Sequence, residues 1–77
     1  MTQELQSALD EIVRRVVATA APRKVILFGS AARDGLGPNS DFDLLVIVAD
    51  GVPRRKTAQD IYYNLIGMVH ATDLVVA

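Results

Sequence analysis

The apolar residues of the first twenty positions recur at helical spacing. Seven of them share an i, i+3, i+4, i+7 pattern: Leu5, Ala8, Leu9, Ile12, Val13, Val16 and Val17. Such a stripe is typical of an amphipathic helix with one buried face. Thr2 stands where an N-cap residue is expected, and Ala21-Pro22 ends the pattern because a residue before proline avoids the helical conformation. The sequence therefore predicts a first helix between Thr2 and Ala21.

Three later apolar runs predict strands. Val25–Phe28 shows no polar alternation, which is typical of a strand covered on both faces. The second strand is predicted over Ser40–Ala49 and the third over Leu74–Val76. Between the first two strands, Ala31–Arg33 predicts a short helix, and residues 34–39 predict a loop because they contain two glycines and a proline.

A second long helix is predicted between the last two strands. Residues 50–53 form a turn signal, and Thr57 begins a capping box in which Asp60 replaces the usual Glu or Gln. The apolar positions that follow keep helical spacing: Ala58, Ile61, Tyr62, Leu65, Ile66 and Val69. We expect Tyr62 in the core and Tyr63 at the surface. The basic run of residues 54–56 is expected to be a solvated loop, with a contact to a substrate, an acidic partner or RNA as the alternative.

This order of elements predicts an α/β (α+β) fold with a small mixed β-sheet and helices packed on it. At 77 residues the chain is expected to form one domain, residues 1–77. Because the sequence stops on a strand, we expect that a C-terminal extension of the fold is lacking or is supplied by another chain. An exposed strand edge there would allow self-association, which leaves a homodimer as one alternative.

Composition narrows the possible functions. The chain has no cysteine and one histidine, which excludes a disulfide framework, a thiolate zinc site and a histidine-rich metal site. The net charge of −1 gives no general indication of nucleic-acid binding. The apolar runs are much shorter than a membrane span needs, and no signal peptide is visible at the N-terminus. We therefore expect a cytoplasmic protein that is not bound to a membrane.

The candidate chemistry lies between the first two strands. Asp41 and Asp43 are two residues apart at the start of an apolar strand, so both carboxylates are expected on one face. Two like charges so close repel each other, and a divalent cation between them relieves the repulsion. Mg²⁺ is the ion that best suits carboxylate and phosphate oxygens. The turn at Gly29-Ser30 just before them is a place where backbone can approach a phosphate.

Together with Asp73 on the third strand, these residues resemble the DNA polymerase beta-like nucleotidyltransferase superfamily. Its signature is an apolar residue and Gly-Ser, a spacer of about ten residues, Asp-x-Asp between apolar residues, and a third carboxylate on a later strand. The stretch from Gly29 to Arg33 and then from Ser40 to Val46 is most similar to the minimal nucleotidyltransferases. The resemblance covers most of the chain, from about Val25 to Val76.

The resemblance implies a role for each residue of the motif. Asp41, Asp43 and Asp73 would be the catalytic carboxylates and would hold Mg²⁺ against a nucleoside triphosphate, and Asp73 would help to deprotonate the attacking hydroxyl. Gly29 and Ser30 would hold the β- and γ-phosphates, and Arg33 would add a charged contact. The reaction implied is transfer of a nucleoside monophosphate to a hydroxyl with release of pyrophosphate.

Minimal members of this superfamily are often encoded beside a HEPN-domain protein as a toxin–antitoxin pair. The resemblance therefore implies an antitoxin that transfers AMP from ATP to a tyrosine of a HEPN-domain toxin. The residues leave two alternative functions open. One is a binding module of the same fold that neutralises its partner by contact alone. The other is an enzyme that modifies a small molecule such as an aminoglycoside.

Overall fold

The protein is described from a computed structural model, which covers residues 3–28, 42–68 and 72–77. Five elements follow one another along these ranges: α1 (Gln3–Ala20), β1 (Lys24–Phe28), β2 (Phe42–Ile47), α2 (Arg54–Asn64) and β3 (Thr72–Val76). The strands form one sheet in the order β1-β2-β3. The pair β1/β2 is antiparallel and the pair β2/β3 is parallel, which confirms the predicted mixed sheet with helices on it.

The core lies between the two helices and one face of the sheet. α1 contributes four buried side chains, and β2 contributes every second residue of its length. The buried cluster consists of Leu5, Leu9, Ile12, Val16, Phe42, Leu44, Val46, Val48, Ile61 and Leu65. The predicted stripe of α1 was right at its centre, but Val17 at its edge is exposed. The buried face of α1 is therefore narrower than the apolar pattern suggested.

The end of α1 is fixed by Ala21 and Pro22. The Ala21 N–H still donates to the carbonyl oxygen of Val17 at 3.0 Å, but the φ angle of Ala21 is +44°. A non-glycine residue in this left-handed region cannot continue the helix. The predicted stop at Ala21-Pro22 is thus confirmed.

The sheet is covered by helices on one face, and β1 was predicted wrongly in this respect. Val25 and Leu27 pack against the core, whereas Phe28 is exposed and Ile26 lies on the opposite face from the core. In the described part of the chain β1 is an edge strand with one covered face. Its apolar run did not reveal this because periodicity reports the polarity of side chains and not the presence of a second layer.

The start of α2 differs from the prediction. The helix begins at Arg54 after Pro53, so Thr57 lies inside it and the proposed capping box is wrong. The Thr57 hydroxyl donates to the carbonyl oxygen of Pro53 at 2.6 Å, and Asp60 pairs with Lys56 at 3.0 Å. The basic run of residues 54–56 is therefore the exposed first turn of a helix and not a loop. A proline at the N-cap position starts the helix because its fixed φ is compatible with helix entry.

α2 ends earlier than the apolar pattern predicts. Leu65 is buried, but Ile66 is exposed and the helix has already ended at Asn64. Gly67 adopts a φ of +94°, a left-handed conformation that does not continue the helix.

Tyr62 was expected in the core and is 45% exposed, whereas Tyr63 is exposed as predicted. The predicted short helix at Ala31–Arg33 and the loop over residues 34–39 lie outside the described residues, as do Ser40 and Val69.

Neither of the helices that the structure describes has the length and apolar character that crossing a bilayer requires.

Candidate active site

Asp43 and Asp73 are brought together by the parallel pairing of β2 and β3. The register places Asp43 directly beside Asp73, with Leu44 beside Leu74. Neighbouring strands are about 4.8 Å apart, and paired residues point to the same face of a sheet. The two carboxylates therefore project side by side from adjacent strands.

Both carboxylates lie on the face of the sheet opposite the helices. On β2 the buried residues alternate with half-buried ones, so Phe42 and Leu44 face the core and Asp43 faces away from it. On β3 the same alternation turns Leu74 toward the core and leaves Asp73 exposed. The burial of their neighbours thus fixes the direction in which the two carboxylates point.

A third residue extends this row across the sheet. Phe28, the last residue of β1, is the antiparallel partner of Asp43. Directly opposed residues on antiparallel strands have Cβ atoms about 5 Å apart on one face. The row Phe28–Asp43–Asp73 therefore crosses all three strands and places an exposed aromatic ring beside the carboxylate pair.

The other predicted site residues cannot be placed in the same way. Gly29, Ser30, Arg33 and Asp41 lie outside the described residues. In the chain, Gly29 follows Phe28 directly and Asp41 directly precedes Phe42. The roles predicted for these four residues remain predictions.

The chemistry of the carboxylate pair fits a divalent cation. Within the described residues neither Asp43 nor Asp73 forms an ion pair, since the salt bridges there join Glu11 to Arg14 and Arg15, and Asp60 to Lys56. Two adjacent carboxylates without a protein cation repel each other. Mg²⁺ is commonly bound by one or two carboxylates together with substrate phosphates. No group of three metal-ligating side chains occurs in the described ranges. The interpretation as a cation site therefore depends on Asp43 and Asp73 alone.

The sequence did not reveal one contact beside the site. The backbone N–H of Leu74 donates to the hydroxyl oxygen of Tyr62 at 2.9 Å. This N–H points to the edge of β3 away from β2, and the neighbouring residue in the strand is Asp73. Helical periodicity assigned Tyr62 to the core, and no local pattern specifies that a hydroxyl on α2 reaches the backbone of a strand.

Comparison with protein families identifies the family to which the chain belongs. The family model described as the nucleotidyltransferase domain matches residues 7–76, a range that runs from within α1 to the end of β3. The chain therefore belongs to the nucleotidyltransferase domain family, and nucleotidyl transfer is its general activity. No curated protein and no solved structure gave a significant match.

Proposed function

We propose that the protein is a Mg²⁺-dependent nucleotidyltransferase that transfers AMP from ATP to a hydroxyl group of a partner protein. The observation that carries the proposal is the register that sets Asp43 beside Asp73 on the face of the sheet that neither described helix covers. Family membership supplies the reaction class. The two carboxylates, which form no ion pair with another described residue, supply a place for the cation that such a reaction uses.

The reaction forms one bond and breaks another at the α-phosphorus. The acceptor hydroxyl oxygen attacks this atom, the bond to the β-phosphate oxygen breaks, and pyrophosphate leaves. Mg²⁺, when bound, neutralises charge on the phosphates. Asp43 and Asp73, with Asp41 as the predicted third ligand, would hold the cation. Asp73 is exposed and accepts the proton of the attacking hydroxyl.

The phosphates are expected to bind where β1 ends. Gly29 and Ser30 follow β1 directly, and Phe28 at its end lies beside Asp43. This arrangement supports the roles proposed for Gly29, Ser30 and Arg33 in holding the β- and γ-phosphates. A backbone turn and a guanidinium are both suited to phosphate oxygens.

The acceptor proposed is a tyrosine hydroxyl of a HEPN-domain protein, for which this chain acts as antitoxin. Two observations support a macromolecular acceptor. The resemblance to minimal nucleotidyltransferases implies it, and the face that carries Asp73 is not covered by either described helix. A protein side chain can approach an uncovered face, whereas a small acceptor such as an aminoglycoside needs a second wall to hold it.

The test is transfer of labelled AMP from ATP to a HEPN-domain protein co-expressed with the wild type and with Asp43→Asn and Asp73→Asn. Transfer by the wild type that falls at least a hundredfold in both variants is expected. Asp50→Asn is the control, because Asp50 lies in the exposed turn at the opposite end of β2. Equal transfer by the Asp73→Asn variant would overturn the proposed role of the pair. Neutralisation of the partner's toxicity without any transfer would instead establish a binding module.

A further inference from the structure

We propose that Tyr62 is a positioning residue for the carboxylate of Asp73. The inference rests on the proposed function and deepens it, because it adds a side chain from α2 to a site built on the sheet. The Tyr62 hydroxyl oxygen accepts a hydrogen bond from the backbone N–H of Leu74 at 2.9 Å. This N–H belongs to the peptide group that joins Asp73 to Leu74, and a peptide group is planar and rigid. By holding the nitrogen, Tyr62 therefore also holds the Cα atom of Asp73.

The same peptide group is bonded to β2 at its other end. Ala77 donates its N–H to the carbonyl oxygen of Val46 and accepts a hydrogen bond from the N–H of Val48. In a parallel pair, residues along a strand alternate between bonding the neighbouring strand and facing away from it. Asp73, four residues before Ala77, therefore bonds to β2 through its carbonyl oxygen, whereas the Leu74 N–H faces outward. The peptide group is thereby fixed from both sides of the strand, by β2 and by the tyrosine hydroxyl.

Asp73 lies at a point where β3 has few other restraints. It is the second residue of the strand, and among the described strands β3 is at the edge of the sheet. The ends of edge strands open readily because they have backbone partners on one side only. The Asp73 side chain is exposed, so its own packing does not fix the strand here. Tyr62 supplies a contact on the second side, within one residue of the carboxylate.

A small displacement of Asp73 is sufficient to slow the reaction. A catalytic group has to be held within roughly 0.5 Å of its productive position, and a misplacement of about 1 Å can reduce a rate roughly a hundredfold. Asp73 is proposed to hold the cation and to accept the proton of the attacking hydroxyl. The phosphates of ATP, by contrast, are expected to bind where β1 ends. Loss of the Tyr62 contact should therefore lower kcat and leave KM for ATP nearly unchanged.

The exposure of Tyr62 indicates that its hydroxyl, rather than its ring, is the functional group. The side chain is 45% exposed and is not one of the apolar side chains that form or pack against the core. Ile61 on the same helix and Leu65 directly after it are buried there instead. Both helices cover the face of the sheet opposite Asp73, so the hydroxyl does not lie over the reacting atoms. Tyr62 thus acts on the reaction through the strand.

The test compares Tyr62→Phe, which keeps the ring and removes the hydroxyl, with two matched controls. Tyr63→Phe removes an exposed hydroxyl from the neighbouring residue. Thr57→Val removes a side-chain hydrogen bond of 2.6 Å to the Pro53 carbonyl oxygen at the other end of α2, and so controls for a general loss of stability. Transfer of labelled AMP from ATP to the co-expressed HEPN-domain protein gives kcat and KM for each protein, at a temperature at which all of them are folded.

We expect kcat to fall roughly tenfold in Tyr62→Phe, with KM for ATP nearly unchanged, and neither constant to change in the controls. Adding Tyr62→Phe to Asp73→Asn should cause no further loss, because a positioning residue acts only through the group that it positions. Unchanged kcat in Tyr62→Phe, an equal fall in Thr57→Val, or a further loss in the double variant would each overturn the inference and leave the proposed function intact. Absence of transfer by the wild type would instead overturn the proposed function, and the inference with it.

Discussion

The hydroxyl oxygen of Tyr62 accepts a hydrogen bond from the backbone N–H of Leu74, and the two atoms are 2.9 Å apart. β3 is bonded to β2 on one side, and this contact lies on its other side. A side chain on α2 thus occupies a backbone donor at the edge of the strand that carries Asp73. An edge donor is otherwise free to pair with another strand.

The substitution Tyr62→Phe is expected to loosen β3 without changing the core. It removes one hydrogen bond, so the free energy of unfolding should fall by about 1 kcal/mol. The amide of Leu74 should also exchange its hydrogen faster, which NMR measures directly. Tyr63→Phe is the control, because Tyr63 is exposed and adjacent in sequence. Unchanged exchange at Leu74 in the Tyr62→Phe variant would contradict this account of the contact.

Mg²⁺ is expected to stabilise the wild type more than the Asp73→Asn variant. In metal-free buffer the variant should be the more stable of the two, by a few tenths of a kcal/mol to about 1 kcal/mol, because it removes a like-charge pair. Added Mg²⁺ should then raise the melting temperature of the wild type only. Asp50→Asn should behave as the wild type does. A melting temperature that Mg²⁺ raises equally in all three proteins would mean that the pair does not bind the ion.

Two threonines should respond in opposite ways to replacement by valine. The Thr72 hydroxyl is buried and has no hydrogen-bond partner in the described ranges, whereas the Thr57 hydroxyl donates to Pro53. Thr72→Val replaces an unsatisfied polar group with a methyl group of similar shape and should stabilise the protein by about 1 kcal/mol. Thr57→Val should destabilise it by a similar amount. Chemical denaturation measures both, and destabilisation by Thr72→Val would contradict the prediction.

Acid should weaken the exposed ion-pair cluster on α1, in which Glu11 contacts Arg14 and Arg15. Hydrogen bonds from Arg14 and then Arg15 lower the pKa of Glu11 from 4.5 to about 2. A folded-state pKa below the unfolded value means that this stabilisation is fully present above about pH 4.5. It is lost as the pH falls through about 2. Thermal unfolding across this window should show a steeper loss for the wild type than for Glu11→Gln, and parallel losses would exclude the effect.

The same cluster connects the two helices. Arg15 donates through Nη1 to the carbonyl oxygen of Asn64 at 3.3 Å while its Nε donates to Glu11. Glu11→Gln should therefore also loosen the end of α2, which hydrogen exchange of residues 62–65 would report. Because the cluster is exposed, added salt at neutral pH should weaken it.

The elements that could be predicted from the sequence are those whose signals are local. The stripe around Ile12 and the Ala21-Pro22 stop determine α1, and the run from Phe42 to Ile47 determines β2. The pairing of Asp43 with Asp73 could not be read from spacing along the chain. It depends on which strands become neighbours and in which direction, and the resemblance to a known superfamily was what suggested a shared site.

The wrong predictions have two causes: a competing local signal, and contacts with distant parts of the chain. Thr57 matched a helix start, but Pro53 begins the helix earlier and turns Thr57 into an interior residue. Tyr62 matched a core position, but its hydroxyl bonds to β3 and its ring remains partly exposed. Phe28 matched a strand covered on both faces, although no element of the described chain covers its side of the sheet.

The alternation along β3 makes the register of this strand, rather than the length of the connection before it, sensitive to insertions. A shift of β3 by one residue against β2 would turn Asp73 into the core and bring Leu74 to the face opposite the helices. Such a shift is opposed by the burial of Leu74 and Val76 against the helices. Single-residue insertions or deletions that reach β3 should therefore abolish activity and stability together, whereas changes absorbed before Thr72 should affect neither. The packing of Leu74 and Val76 on one face of the sheet thereby fixes Asp73 on the other face, where the chemistry is proposed to take place.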